Sequence, residues 1–364
     1  MFEIQTGCRL HFGLMELAEG QAQRFGGLGL MLDRPGWRLR FSIPSGSTPA
    51  GLHGKSLQYS TTAEELYQRF ARVLGASSGI SVELVQSLPL HSGLGAGTQF
   101  AAALAAGAQL IGNIKRDDVR WEPLNGWSPI DAVLNVDATE LASLAKRGLR
   151  SAVGLQGFLK GGLILDEGYD PDSAATRSRQ VKTRCARFPE PWRTVLVIPH
   201  ASASSGNRDD LIRVSGEQEA QLLNRIARQP NPHRETMFHI ADEIVGRLTA
   251  APQASLGTDL LDQFSTVMSL LEQYLRLAGE LFREEQGGIF NGSELTAAAA
   301  AAEKAGLRGV GQSSWGPTIF GFAPDAATAE RIACYLSELP AQYQVLVANQ
   351  ASSGALWRAE IGSQ

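Results

Sequence analysis

Apolar and polar positions alternate through the first forty or so residues, and this period-two rhythm predicts strands. Phe2-Glu3-Ile4 alternates, and Cys8 to Leu17 sets Arg9 and His11 on one side of a strand, with Leu10, Phe12 and Leu14 on the other. Ala18 to Gly27 is glycine-containing and reads as a hairpin or flap. Gly27 to Gly36 returns as a strand, and Arg38 to Phe41 alternates again. Thr61 to Leu74 has the spacing of an amphipathic helix. Ile80, Val82 and Leu84 then mark a strand that Pro89 ends. Gly93, Gly95 and Gly97 follow at alternate positions. Beyond them Phe100, Leu104, Ala108 and Ile111 fall on one helical face.

A helix is predicted over Asp137 to Leu149. Arg150 to Gly168 is a second glycine-punctuated stretch, closing as the strand Leu163-Ile164-Leu165. The polar run Tyr169 to Arg187 reads as a solvent-facing loop and a boundary between domains at 1–187 and 188–364. The second half opens with a strand at Thr194 to Pro199 and a small-residue loop to Asp210. Helical runs follow at Asp209 to Arg228, His233 to Thr249, Ser255 to Glu285 and Ser293 to Lys304. Gly309 to Gly316 forms a late glycine- and serine-rich loop leading into a strand at Thr318 to Phe322. Asp325 caps a helix to about Leu339, and Tyr343 to Ala348 is the last strand expected. Strand–helix–strand passes around a helical bundle predict an α+β fold of two domains, without internal repeats.

Composition narrows the function classes. Apolar residues make up 43% and charged residues 19% of the 364, an ordinary globular profile. A net charge of −4 gives no basic surface for nucleic acid. Cys8, Cys185 and Cys334 are odd in number and widely spaced, which excludes a disulfide framework and fits a reducing, cytoplasmic setting. No basic-then-apolar leader opens the sequence, and no apolar run reaches the roughly 18 residues needed to span a bilayer.

Candidate chemistry concentrates at Pro89 to Gly107. A strand, a glycine loop and a helix make an arrangement for holding an anion: the backbone can approach closely and the first-turn N–H groups point at the ligand. Thr98 is a candidate N-cap or hydroxyl donor. A tight turn before an alanine-rich helix is the plainer alternative, and the lysine of a Walker loop is absent. Arg9, His11, Arg24 and Arg34 cluster among strand ends, either as anion partners or as solvated edge charges.

Two glycine loops, one early and one late, with a glycine pair between them, resemble the GHMP kinase superfamily. Pro89-Leu90-His91-Ser92-Gly93-Leu94-Gly95 matches the first part of that superfamily's central loop, and Gly309 to Gly316 occupies its late loop. The match then departs. The kinases continue with two serines, where this chain has Ala96 and Gly97. They also carry a catalytic aspartate seven residues before a Gly-Gly pair, and counting back from Gly161 lands on Gly154. One branch has lost kinase chemistry, the β-ribofuranosylaminobenzene 5′-phosphate synthase family. The chain resembles it at Arg9 to Gly13, Arg24 to Gly27, Gly93 to Gln99, Arg150-Ser151 and Gly311 to Pro317.

That resemblance implies a transferase of tetrahydromethanopterin synthesis. It joins phosphoribosyl pyrophosphate to 4-aminobenzoate or 4-hydroxybenzoate and releases pyrophosphate and CO2. It implies Mg²⁺ as cofactor, small molecules as partners and a homodimer. On this basis Ser92, Gly93, Gly95, Ala96, Gly97, Thr98 and Gln99 hold one phosphate cluster. Gln312, Ser313, Ser314 and Gly316 line the other side, and Trp315 forms a ring wall. Arg9, Arg24 and Arg150 pair with anions, and His11 acts as acid/base or orients a carboxylate. Asp33 holds Mg²⁺ or caps a turn. The competing expectations are an ATP-dependent small-molecule kinase with a displaced aspartate, and a ligand-binding member without catalysis.

Overall fold

The computed structural model describes residues 1–15, 26–42, 51–53, 80–115, 126–134, 138–145, 147, 151–169, 181–200, 231–250, 258–339 and 343–359. The expected flap at 18–27 falls largely outside these residues. So do the helices expected at 61–74 and 209–228.

The first sheet is built on two long antiparallel strands, β1 (Phe2–Leu14) and β2 (Gly27–Ser42). Leu10 and Phe12 turn into the core, while Arg9 lies half-buried on the opposite face. β3 (Gly51–His53) pairs in parallel with β4 (Ser81–Gln86), and β4 pairs with β2. α1 (Ala96–Lys115) packs its alanines against this sheet: Ala102, Ala103 and Ala106 are completely buried, and small side chains let helix and sheet approach closely. β5 (Ser128–Pro129), a 3₁₀ turn at Ile130–Ala132 and the helix α2 (Ala138–Ala145) follow.

The glycine-punctuated stretch expected from Arg150 to Gly168 contains, ahead of its strand, the helix α3 (Val153–Lys160), which was not expected there. Its glycines serve close packing: a Cβ on Gly157 would lie 2.4 Å from Met31 Cγ. β6 (Leu163–Tyr169) pairs with β2, and β7 (Val181–Ala186) pairs with β6. β7 falls inside the run read from sequence as polar loop. Its ladder supplies the order, and Arg184 ties it to Glu167 at 2.6 Å and to Asp242 at 2.6 Å.

The second sheet has the order β11-β8-β10-β9, formed by β8 (Arg193–Pro199), β9 (Arg308–Gln312), β10 (Ile319–Ala323) and β11 (Tyr343–Ala348). The late loop is thus shorter than expected, because Gly309 and Gly311 are strand residues. α4 (Arg234–Ala250), α5 (Thr258–Glu280), a single turn at Arg283–Gln286, α6 (Gly292–Lys304) and α7 (Ala326–Ser337) complete this half. Asp325 caps α7 as expected, accepting from Thr328 N–H at 2.8 Å.

β11 is not the last strand. β12 (Leu356–Ala359) returns to the first sheet, between β1 and β5. Asp33 meets this returning segment, accepting from Asn349 N–H at 2.9 Å and from Asn349 Nδ2 at 2.8 Å. The apolar core is continuous across both sheets: the Phe12 ring lies 5.2 Å from Phe320 and 6.2 Å from Phe322.

Candidate active site

The central loop, the late loop and the end of β1 meet at one place. Gly93 (φ 79°) and Gly95 (φ 72°) adopt the left-handed backbone that frees the loop to turn without a Cβ. α1 starts at Ala96, so Gly95 caps it: its carbonyl accepts from Thr98 and Gln99 N–H, both at 3.0 Å. Thr98 therefore sits within the first turn and is not the N-cap. By their place in that turn the N–H groups of Ala96 and Gly97 precede the first intrahelical donor. The positive end of a 20-residue helix is directed at the loop.

Two arginines border it. A Cβ on Gly95 would lie 3.2 Å from Arg9 Nε, and one on Gly97 would lie 3.4 Å from an Arg147 guanidinium nitrogen. Both glycines thus leave room for a guanidinium beside the helix N-terminus, which is chemistry suited to a phosphate or diphosphate. Arg24 and Arg150, the other expected anion partners, lie outside the described residues.

Several expected contact residues serve the architecture. Gln99 is fully buried, accepting from Thr6 Oγ1 at 2.6 Å and donating to Gly154 O at 2.8 Å. Ser92 donates to Pro89 O at 2.7 Å. Ser313 donates to Gly93 O at 2.8 Å and accepts from His11 N–H at 3.1 Å, which joins the late loop, the central loop and β1. Ser314 closes the same junction, donating its N–H to His11 O at 3.0 Å. Gly316 packs beside Gly93, where a Cβ would meet Gly316 O at 2.8 Å. Gln312 accepts from Asn291 N–H at 2.7 Å and donates to Ser314 O at 3.1 Å. Trp315 is half-buried and meets Phe282 edge to face, with ring centroids 4.5 Å apart.

His11 is buried with both ring nitrogens engaged. Gly13 donates its N–H to Nδ1 at 3.2 Å, which assigns the proton to Nε2. Nε2 faces Ser151 Oγ at 3.2 Å. Burial first, then the charge of Arg9, holds the imidazole well below its ordinary value, so it is neutral. Ser151 in turn bonds Asp166, a carboxylate only 1% exposed that also accepts from Ala152 N–H at 2.7 Å and Gly168 N–H at 2.9 Å. Arg147, Phe282 and Asp166 carry no motif that sequence reading could use. The one available signal was an aspartate directly after the apolar run Leu163 to Leu165.

Magnesium finds no matching donor set among the described residues. Both Asp33 oxygens bond Asn349, so Asp33 fastens the returning chain, and the group nearest the loop is a pair of guanidiniums. No three His, Cys, Asp or Glu side chains among the described residues gather to hold an ion.

Comparison with known proteins agrees with this geometry. Residues 264–342 match the family model for the GHMP kinases C terminal. Among solved structures, mevalonate diphosphate decarboxylase from Staphylococcus aureus superposes with a TM-score of 0.57 at 12% identity, covering 99% of each chain. Homoserine kinase from Cytophaga hutchinsonii gives 0.52 at 19% identity, covering 97% of this chain and 96% of that one. The chain has the two-domain α+β fold of the GHMP kinases.

Curated proteins of similar sequence are synthases. A beta-ribofuranosylphenol 5'-phosphate synthase from Methanothermobacter thermautotrophicus is 25% identical over 336 residues, covering 87% of both chains. One from Methanocaldococcus jannaschii is 24% identical over 357 residues, covering 90% of this chain and 91% of that protein. The chain is thus similar to enzymes of this kind over nearly the whole of both lengths. Among the described residues no helix is long and apolar enough to cross a membrane.

Proposed function

We propose that the enzyme condenses phosphoribosyl pyrophosphate with 4-aminobenzoate or 4-hydroxybenzoate, releasing pyrophosphate and CO2. The anomeric C–O bond to pyrophosphate breaks, and the ring carbon bearing the carboxylate bonds to the anomeric carbon. The C–CO2 bond then breaks and returns its electron pair to the ring. Positive charge develops on the sugar as pyrophosphate leaves, and fixed cationic donors at the leaving group lower that barrier. Arg9, Arg147 and the N-terminus of α1 are suited to hold the diphosphate. The Trp315–Phe282 pair is suited to stack the aromatic acid and orient its carboxyl-bearing carbon. The magnesium expected with this substrate would travel on the diphosphate. The buried, doubly bonded His11 favours a positioning role over proton transfer. A cytoplasmic homodimer is the expected setting.

The observation that carries this reading over phosphoryl transfer is at Gly154. A Cβ there would lie 2.9 Å from Thr98 Cγ2 and 3.7 Å from Arg9 Cδ. A side chain at that position would press on the Thr98 methyl, and glycine supplies no carboxylate for phosphoryl transfer, while the glycine loop and Arg9 stand beside it. Incubation with phosphoribosyl pyrophosphate and either benzoate should release pyrophosphate and CO2 in equal amounts. ADP formed from ATP and an alcohol, with neither of those products, would establish the kinase instead. Tight substrate binding without turnover would mark a binding protein.

A further inference from the structure

Among the described residues, two other than glycine hold left-handed backbone: His91 (φ 55°) in the central loop and Ser314 (φ 57°) in the late loop. Such backbone is unfavourable for a residue with a Cβ and persists only where its surroundings over-determine it. At Ser314 the surroundings are explicit. Its N–H donates to His11 O at 3.0 Å, and its carbonyl accepts from Gln312 Nε2 at 3.1 Å. The next residue is Trp315, whose own carbonyl accepts from Asn291 Nδ2 at 3.2 Å. The left-handed turn therefore sets how the chain enters Trp315, and two side-chain amides hold that turn.

Those amides belong to one net. Gln312 Oε1 accepts the Asn291 N–H at 2.7 Å, and Gln312 Nε2 also faces Gln286 Oε1 at 3.5 Å. Gln286 Nε2 donates to Ile289 O at 2.7 Å, and the Gln286 N–H bonds Phe282 O at 3.0 Å. Asn291 and Gln286 are only 1% and 5% exposed. Gly316 makes room for the net: a Cβ there would lie 3.1 Å from Gln312 Cδ. Both rings of the Trp315–Phe282 pair are thus attached to the same buried amides.

Asn291 shows what the net serves. It stands at the N-cap of α6, where an asparagine side chain ordinarily accepts from a first-turn N–H and steadies the helix. Here it makes no such capping bond. Its Nδ2 donor goes instead to Trp315 O, 24 residues away in the chain. The side chain is spent on the late loop and not on its own helix.

We infer that Asn291 and Gln312 are positioning residues for the aromatic acid: they hold the Ser314–Trp315 turn so that the half-buried Trp315 ring stands ready against Phe282. The inference rests on the reading, proposed above, that this ring pair stacks the acid. A ring already in place spares the substrate the cost of ordering it.

Asn291→Asp keeps the shape of the side chain and, ionised, removes the donor to Trp315 O. Steady-state kinetics on the full chain should use phosphoribosyl pyrophosphate with whichever of 4-aminobenzoate and 4-hydroxybenzoate the wild type consumes. The variant's KM for the benzoate should rise about tenfold, while its KM for phosphoribosyl pyrophosphate stays at the wild-type value. Gln312→Glu keeps the acceptor for the Asn291 N–H and loses the donor to Ser314 O. It should behave alike, and it serves should the first variant not fold. Trp315→Leu should itself raise the benzoate KM, and adding Asn291→Asp to it should change that constant by less than about twofold. No rise for the benzoate, an equal rise for phosphoribosyl pyrophosphate, or a full further rise on top of Trp315→Leu would show amides that serve the fold alone and overturn the inference. Turnover of neither benzoate by the wild type would remove the proposed reaction, and this inference with it. A wild-type benzoate KM in Trp315→Leu would remove the ring wall and this inference, leaving the reaction in place.

Discussion

Asp166 makes a measurable statement about stability. Its folded value, about 6, lies above the ordinary 3.8, so the protonated form favours folding. That contribution is fully present below about pH 3.8 and is lost as pH rises through about 6, roughly 3 kcal/mol in all. Denaturant titrations should therefore show wild type losing about this much stability relative to Asp166→Asn between pH 4 and pH 7. A difference that stays flat with pH would rule it out. Glu3 works the other way. It is wholly buried, and Arg38, Arg40 and Arg358 approach it at 2.6, 2.8 and 2.7 Å. Burial raises its carboxyl, but the Arg38 and Arg358 bonds and charges outweigh that and leave it below its usual range. Glu3→Gln would leave three guanidiniums without their shared carboxylate. The expected loss is about 3 kcal/mol in chemical denaturation, and an unchanged midpoint would contradict it.

At the scale of elements, the glycine loop and α1 were legible in the sequence because a strand, three alternate glycines and a 3.6-residue apolar period each leave a local mark. β6, β8 and α4 to α7 followed from the same periodicities to within a few residues. α3 was hidden because its glycines pack against Met31 and Thr98, contacts between segments far apart in the chain. β7 was hidden because its order comes from the ladder to β6, and its own residues are polar. The two-arginine pair was half legible: Arg9 follows from strand alternation, whereas Arg147 meets Gly97 only through the tertiary fold, across fifty residues of chain. The loop itself allows a sharp test. Gly95→Val would force a branched side chain into left-handed backbone and against Arg9. Turnover with phosphoribosyl pyrophosphate should fall at least about a hundredfold. Wild-type kinetics in that variant would remove the loop from the site.

Across the whole molecule, the two sheets share one core. Phe12 on β1 packs against Phe320 and Phe322 on β10, and Tyr274 of α5 reaches Gly13. Phe12→Ala should cost about 3–5 kcal/mol and lower the stability of both halves together, seen as a single calorimetric transition at lower temperature. Two separated transitions would show that the halves melt independently.

The return of β12 to β1 bears on how the protein is made. On the ribosome β1 emerges long before one of its two neighbours in the sheet, which lies more than three hundred residues later, as does the Asn349 clasp on Asp33. The strand that carries Arg9 and His11 therefore waits, with one edge unpaired, until β12 is delivered. During that interval the nascent chain presents an open edge to other strands, and early chaperone engagement would protect it. A fragment ending at residue 187 would keep the same open edge, and a second fragment supplied separately would have to close it.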